Sequence, residues 1–250
     1  MESIVYNTDC LEYMKTLPDK AFDLAIVDPP YGDALSDFKR SDKSRFGGHF
    51  DKYKECGHAE REREREKACG TRIHTEGGGW ARRYNRREAE DGTLQRIEWD
   101  VAPPQEYFEQ LFRVSKNQVI WGGNYFTLPP TRCFLIWRKL TISEDFTMAM
   151  AEYAWTNFND NAKVFEFAPQ GKKDDKRFHP TQKPVALYEW ILSRFAKKGD
   201  RILDTHLGSG SSRIACAELG FDFVGCEIDK TYYELQEKRF KEYSDQLMLF

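Results

Sequence analysis

The stretch from Arg201 to Ile228 restricts the fold of this chain more than any other. Arg201-Ile202-Leu203-Asp204 is a short apolar run, Thr205 to Gly210 a loop with two glycines, Ser211 to Leu219 a helical segment, and Phe221 to Ile228 a second strand-like run. Two strands joined by a helix form a right-handed βαβ unit, which commits the chain to an α/β fold with a parallel sheet buried between helices. Gly208 and Gly210 allow a ligand to approach the backbone closely at the crossover. Glu227 ends the second strand about 20 residues later, the spacing at which an acidic side chain reaches ribose hydroxyls. The implied ligand is a nucleoside-containing cofactor. A dinucleotide fingerprint would carry a third glycine where this chain has Arg213, which disfavours NAD. No Gly-Lys-Ser/Thr follows the loop, so phosphate binding of the Walker type is disfavoured as well.

Far upstream, the apolar run Leu24-Ala25-Ile26-Val27 leads into Asp28-Pro29-Pro30-Tyr31, where a buried strand leaves its sheet. Open α/β proteins place their chemistry at such exits. The two prolines fix the backbone and offer carbonyls without N–H groups, so the Asp28 carboxylate projects from a rigid platform beside the Tyr31 ring. A carboxylate, an outward carbonyl and an aromatic face suit a planar, amine-bearing ring such as a nucleobase. A plain Asp-Pro turn after a strand would read the same way in isolation.

Asp28-Pro29-Pro30-Tyr31 resembles the catalytic motif of the S-adenosylmethionine-dependent DNA amino methyltransferases, which act on adenine N6 or cytosine N4. Because the tetrapeptide precedes the Gly208-Ser209-Gly210 loop, the order is similar to that of the circularly permuted β group. The resemblance covers residues 1–32 and 97–240. It implies a Rossmann-like methyltransferase fold, with a mostly parallel seven-stranded sheet, helices on both faces and permuted motif order. Val119 to Asn124, Phe134 to Trp137 and the region of Ala154-Trp155 are expected as further strands. It also implies S-adenosylmethionine as cofactor, held by Asp9, Cys10, Asp28, Thr181, Lys183, Asp204, Gly208, Gly210, Ser212 and Glu227. Lys183, in His179-Pro180-Thr181-Gln182-Lys183-Pro184, is expected to pair with the methionine carboxylate, in a turn that also opens a helix from Val185 to Phe195. Asp28, Pro29, Pro30 and Tyr31 are the expected catalytic set, acting on a base swung out of the duplex. The Asp form of the motif points to adenine N6. The family often has Pro-Phe where this chain has Thr205-His206, and His206 is read as a packing residue.

Composition breaks after Gly32. Residues 33–99 are rich in charge and glycine and poor in aliphatics, until Pro103-Pro104 and an amphipathic helix from Glu106 to Val114 restore the pattern. The expected organisation is a catalytic domain of residues 1–32 and 100–250 with a target-recognition insert. Trp80, Arg82, Arg83, Tyr84, Arg86 and Arg87 would form a basic, aromatic stripe on one helical face, with Lys172 and Lys173 as further contacts to double-stranded DNA. A net charge of −3 does not exclude such a local patch. Cys56, His58, Cys69 and His74 are zinc-type ligands at irregular spacing, and no metal is expected. The six cysteines lack a paired Cys-x-x-Cys, which fits reduced thiols, and no apolar run is long enough for a bilayer. A cytoplasmic location is expected.

A helix from Lys230 to about Tyr243 is expected to end before Gln246-Leu247-Met248-Leu249-Phe250, which resembles the short peptide that docks on the bacterial sliding clamp. Gln246, Leu247, Leu249 and Phe250 would be its contacts, in an extended ligand; a tail folded onto its own domain or a dimer interface is the alternative. A homodimer is implied by the resemblance alone. Three readings therefore stand: a DNA amino methyltransferase, an RNA or protein amino methyltransferase, and a non-catalytic DNA- or clamp-binding module. The basic stripe and motif order favour the first over the second, and the intact Asp28 to Tyr31, Gly208, Gly210 and Glu227 set disfavours the third.

Overall fold

The computed structural model describes residues 2–32, 86–88, 94–96, 101–142, 149–169 and 177–247, with backbone alone for 86–88, 94–96 and 246–247. In chain order the elements are β1 (Ser3–Tyr6), α1 (Cys10–Lys15), β2 (Phe22–Val27), β3 (Arg86–Glu88), β4 (Leu94–Arg96), α2 (Gln105–Val114) and β5 (Ser115–Trp121). There follow β6 (Phe134–Lys139), β7 (Ala151–Thr156), β8 (Lys163–Phe167), α3 (Val185–Phe195), β9 (Arg201–Asp204), α4 (Ser211–Leu219), β10 (Asp222–Cys226) and α5 (Lys230–Leu247). The chain forms two units, residues 1–32 with 101–250, and residues 33–100.

The first unit is built on an eight-stranded sheet in the order β1-β10-β9-β2-β5-β7-β6-β8. β7 runs antiparallel to β5 and β6, and the other pairings among the described residues of this sheet are parallel. β2 is buried almost throughout, as a central parallel strand covered on both faces must be. On one face Leu24, Ile26, Val119, Trp121, Leu135, Trp137 and Ile202 pack under α3 and α4. On the other, Ala25, Val27, Ile120, Leu203 and Val224 pack under α1 and α2, through Met14, Tyr107, Phe108 and Leu111. Helix starts follow local chemistry. Asp9 caps α1 by accepting from the Leu11 and Glu12 amides, and Pro104 and Pro184 stand at the N-caps of α2 and α3, where proline's missing N–H costs nothing.

The expected seven strands become eight because Lys163–Phe167 adds an edge strand parallel to β6. The strand expected over Val119 to Asn124 stops at Trp121, since Gly122 takes a left-handed conformation and turns the chain into a single 3₁₀ turn, Gly123–Tyr125. The strand expected over Phe221 to Ile228 is shorter, Asp222–Cys226, with Glu227 just beyond it. The last helix continues through Leu247 rather than ending near Tyr243, so Gln246 and Leu247 are helical and not part of an extended tail. Nothing from Lys230 to Leu247 is glycine or proline, and the segment holds many strong helix formers. Leu249 and Phe250 lie outside the described residues.

In the second unit β3 and β4 pair antiparallel, Arg86 opposite Arg96 and Glu88 opposite Leu94. Arg86 and Arg87 are therefore in a strand, which excludes the continuous helical stripe: i,i+4 alignment exists only at helical pitch. Trp80, Arg82, Arg83, Tyr84, Lys172, Lys173 and the Cys56, His58, Cys69, His74 set lie outside the described residues. Among those described, no metal-ligating cluster occurs and no helix is long and apolar enough to cross a membrane.

Candidate active site

β2 and β9 are neighbours at the centre of the sheet, Leu24 level with Ile202 and Ala25 with Leu203. Chain order reverses between them: β9 proceeds through α4 to β10 on one side, whereas β2 proceeds through α2 to β5 on the other. A crevice forms outside the carboxyl ends of strands at such a reversal. Asp28 emerges there from β2 and Asp204 from β9, on strands about 4.8 Å apart by sheet geometry. The two carboxylates feel each other, Asp28 helping to raise the Asp204 pKa. The tetrapeptide and the glycine loop, distant in sequence, thus share one rim.

Asp28 is held from two sides. The Tyr31 hydroxyl donates to Asp28 Oδ1 at 3.0 Å, and Lys183 Nζ forms an ion pair with Oδ2. Lys183 is buried, 5.3 Å from the centroid of the Trp121 ring, and its ammonium also lies 3.2 Å from Glu152 Oε2. Glu152 in turn meets Lys139 Nζ at 2.5 Å. Lys183, expected at the methionine carboxylate, is thus placed by the structure on two protein carboxylates. Burial, and then the like charge of Glu152, push the Asp28 carboxyl above its ordinary range despite Lys183. Burial also works to raise Glu152, but Lys183 and Lys139 overcome it and hold that carboxyl at about 2.

An aromatic platform adjoins this network. Tyr31 stacks on Tyr125 with centroids 4.7 Å apart, and Phe126 meets it edge-on at 6.1 Å. Tyr125 is 42% exposed. Gly122, at φ +65°, lies so close that a Cβ there would be 2.0 Å from Tyr31 Cε1. The glycine is thus required twice, by its backbone conformation and by the ring beside it.

On the β9 side, Gly208 and Gly210 have positive φ of 54° and 75°, and Gly210 caps α4. Glu227 accepts from the Gly208 amide at 2.8 Å through Oε2 and from the Asp229 amide at 2.9 Å through Oε1. Each carboxylate oxygen accepts about two hydrogen bonds, so capacity for hydroxyl donors remains. The Asn7 side-chain amide donates to the Glu227 carbonyl at 2.7 Å, and Asn7, Tyr6, Thr8 and Tyr13 line a cleft of about 360 Å³. Asp9 is occupied as the α1 cap, and the Thr181 hydroxyl pairs with His179 Nδ1 at 3.2 Å. The buried His179 ring packs against Gly208. Cys10 Sγ lies 4.0 Å from His206 Nε2, and His206 Nδ1 lies 2.9 Å from Thr205 Oγ1, which meets the Tyr107 hydroxyl at 2.6 Å. Loss of hydration lowers His206 to about 4, so the half-buried ring sits neutral, as a packing residue would.

Asp204 accepts from Ser212 Oγ at 2.5 Å and from the His206 amide at 3.1 Å, yet burial raises its carboxyl to about 7. Stability from a group raised in the folded state is full below the unfolded pKa of about 3.9 and is lost as pH rises through the folded value. Asp204→Asn is therefore expected to melt increasingly above wild type between about pH 4 and pH 7, with a difference approaching about 4 kcal/mol by linkage. Thermal melts of both proteins across that range check it, and a constant difference contradicts it.

Glu152, Lys139, Gly122 and Tyr125 are not among the sequence candidates. A signal exists for the first two: counting by twos along β7 from buried Ala154, and along β6 from Leu135 and Trp137, puts charged Glu152 and Lys139 on the core-facing rows. No comparable signal marks Gly122, whose role depends on a ring about 90 residues away in the chain.

A family described as DNA methylase matches residues 84–238. Type II methyltransferase M2.MboI of Moraxella bovis is 26% identical over 95% of this chain and 87% of its own length. Type II methyltransferase M.HpaI of Haemophilus parainfluenzae is 23% identical over 96% and 74%. Among solved structures, the PvuII cytosine-N4-specific DNA methyltransferase superposes with a TM-score of 0.55 at 11% identity, covering 98% of this chain and 91% of that one. The Thermus thermophilus protein TTHA0409, complexed with S-adenosyl-L-methionine, gives 0.51 at 15% identity, covering 96% and 94%. These two likenesses concern the fold. With more than half of its residues matched by the family, and with the tetrapeptide and the glycine loop on one rim, the chain belongs to the DNA methylases.

Proposed function

We propose that this enzyme transfers a methyl group from S-adenosylmethionine to the N6 amino group of adenine in duplex DNA, after the base swings out of the stack. The observation that carries the reading is the adjacency of Asp28 and Asp204 at the carboxyl ends of β2 and β9, which brings an amine clamp beside a glycine loop. The residues present suit the cofactor: two glycines with positive φ, and a Glu227 carboxylate with acceptor capacity left for ribose hydroxyls. S-adenosylmethionine, when bound, supplies an electrophilic methyl carbon. Asp28 and the Pro29 carbonyl accept hydrogen bonds from the amino group and direct its lone pair at that carbon. As the new C–N bond forms the C–S bond breaks, its electron pair going to sulfur, and the surplus amino proton leaves to Asp28 or to water. Tyr31, backed by Tyr125, extends an aromatic surface toward the flipped base, whose extraction is needed because the amino group is unreachable within the stack.

Adenine is preferred over cytosine on the Asp form of the tetrapeptide. Target reading is assigned to residues 33–99, and docking on a partner such as the bacterial sliding clamp to the C-terminal residues, for which Gln246 and Leu247 would have to leave the last helix. The deciding experiment is analysis of modified bases in genomic DNA from cells expressing this chain. N6-methyladenine at one recurring sequence is expected. N4-methylcytosine would move the target to the other base, and unmodified DNA alongside robust methylation of RNA or protein would overturn the DNA reading.

A further inference from the structure

Four charged residues form a row that alternates in sign, Asp28, Lys183, Glu152, Lys139, with the two lysines buried and the two carboxylates partly buried. They come from four places in the chain and converge on one sheet face. Asp28 follows Leu24 and Ile26, Glu152 precedes Ala154, and Lys139 follows Leu135 and Trp137, each at two-residue spacing on the rows that pack under α3. The strand register agrees, since Val27 lies level with Ile120, Trp121 with Ala154, and Trp137 with Glu152. Lys183 arrives from the turn before α3 and lies against the Trp121 ring between the two carboxylates.

A second, partly buried carboxylate beside the clamp has a cost, because withdrawing charge from water is unfavourable without compensation. Lys183 alone would neutralise Asp28 and leave it locked in a contact pair. Glu152 competes for the same ammonium and repels Asp28, while Lys139 makes the extra negative charge tolerable. We propose that Glu152 is a positioning residue of the methyl transfer, dividing the Lys183 charge so that Asp28 stays free to take up the amino group and its proton. This rests on the catalytic reading of Asp28. The other groups facing Asp28 are Tyr31 from its own loop, Tyr188 from α3 and Asp204 from β9.

Asp204 titrates near neutrality, so a bulk pH profile would mix the two carboxyls, and a site-resolved measurement is needed. The test follows the Asp28 side-chain ¹³C carboxyl resonance of the full chain against pH, assigned by its disappearance in Asp28→Asn. Glu152→Gln keeps the shape, removes the competing charge and is expected to lower the Asp28 midpoint by about one pH unit. Lys183→Met removes the cation and is expected to raise it by at least about one unit. A purely structural role would lower the melting temperature and leave the midpoint where it is. An unchanged Asp28 midpoint in folded Glu152→Gln overturns the proposal, and because that variant is isosteric it decides the matter even where Lys183→Met does not fold. Full methyl transfer by Asp28→Ala would instead strike at the catalytic reading of Asp28, whatever the titrations show.

Discussion

Asp28→Ala is expected to reduce kcat for DNA methylation by about a thousandfold or more, the scale seen when a preorganised polar group facing the developing charge is removed. The target amine is a weak nucleophile because its lone pair is delocalised into the base. Acceptors in the plane of its hydrogens favour the tetrahedral geometry that frees the pair, and Asp28 is the charged one. The Pro29 carbonyl remains in the variant but carries no charge to balance the positive nitrogen. Asp28→Asn sharpens the prediction: it preserves volume and the Tyr31 contact yet offers one acceptor and no charge, so it too should be nearly inactive. Single-turnover kinetics with a methylatable duplex, together with calorimetric binding of S-adenosylmethionine, separate lost transfer from lost cofactor. Either variant turning over at more than a tenth of the wild-type rate would show that the clamp is not Asp28.

Gly122→Ala is expected to be the most damaging substitution outside the tetrapeptide. The backbone there is left-handed at φ +65°, which costs an L-residue roughly 1–2 kcal/mol. More serious is the new methyl, placed 2.0 Å from Tyr31 Cε1, far inside ordinary carbon contact. Either the ring or the loop must move by more than an ångström. Movement of the ring breaks its stacking on Tyr125 and its 3.0 Å hydrogen bond to Asp28. Misplacement on that scale costs about a hundredfold in rate even away from the reacting atoms. The expected outcome is kcat/KM lowered about a hundredfold, with the melting temperature reduced by several degrees for a domain of this size. Steady-state kinetics and a thermal melt check it, and unaltered kinetics would mean that the position of Tyr31 does not matter.

Much of this architecture is written locally in the chain. The apolar run ending at Val27, the two glycines after Asp204 and the prolines before α2 and α3 are short-range signals, and the structure puts strand, loop and helix starts at them. Edges are harder to read. β8 is one turn-bounded stretch, Lys-Val-Phe-Glu-Phe, whose alternating exposure is what one would expect of an edge strand, yet five residues give little periodic signal. The end of β5 is ambiguous in sequence because a glycine pair inside an aromatic run fits a strand or a turn equally, until the ring of Tyr31 decides. The site divides the same way. Asp28, Gly208, Gly210 and Glu227 are recognisable by spacing, whereas the hold of Glu152 on Lys183 exists only once β7 is laid beside β5 and β6. Asp9 shows what spacing leaves out: its Oδ1 caps the helix that follows it, a contact set by the local backbone.

The polypeptide departs from the larger unit after Gly32 and rejoins it at Val101, and a Cβ on Gly32 would sit 2.7 Å from the Ala102 nitrogen. Exit and re-entry therefore share a doorway, so the sheet has no stake in how long the excursion is. Swapping the intervening stretch for another of different length adds only a logarithmic entropy of loop closure. A chain so arranged can lengthen, shorten or exchange the stretch between Gly32 and Val101 without altering how β2 and β9 lie together.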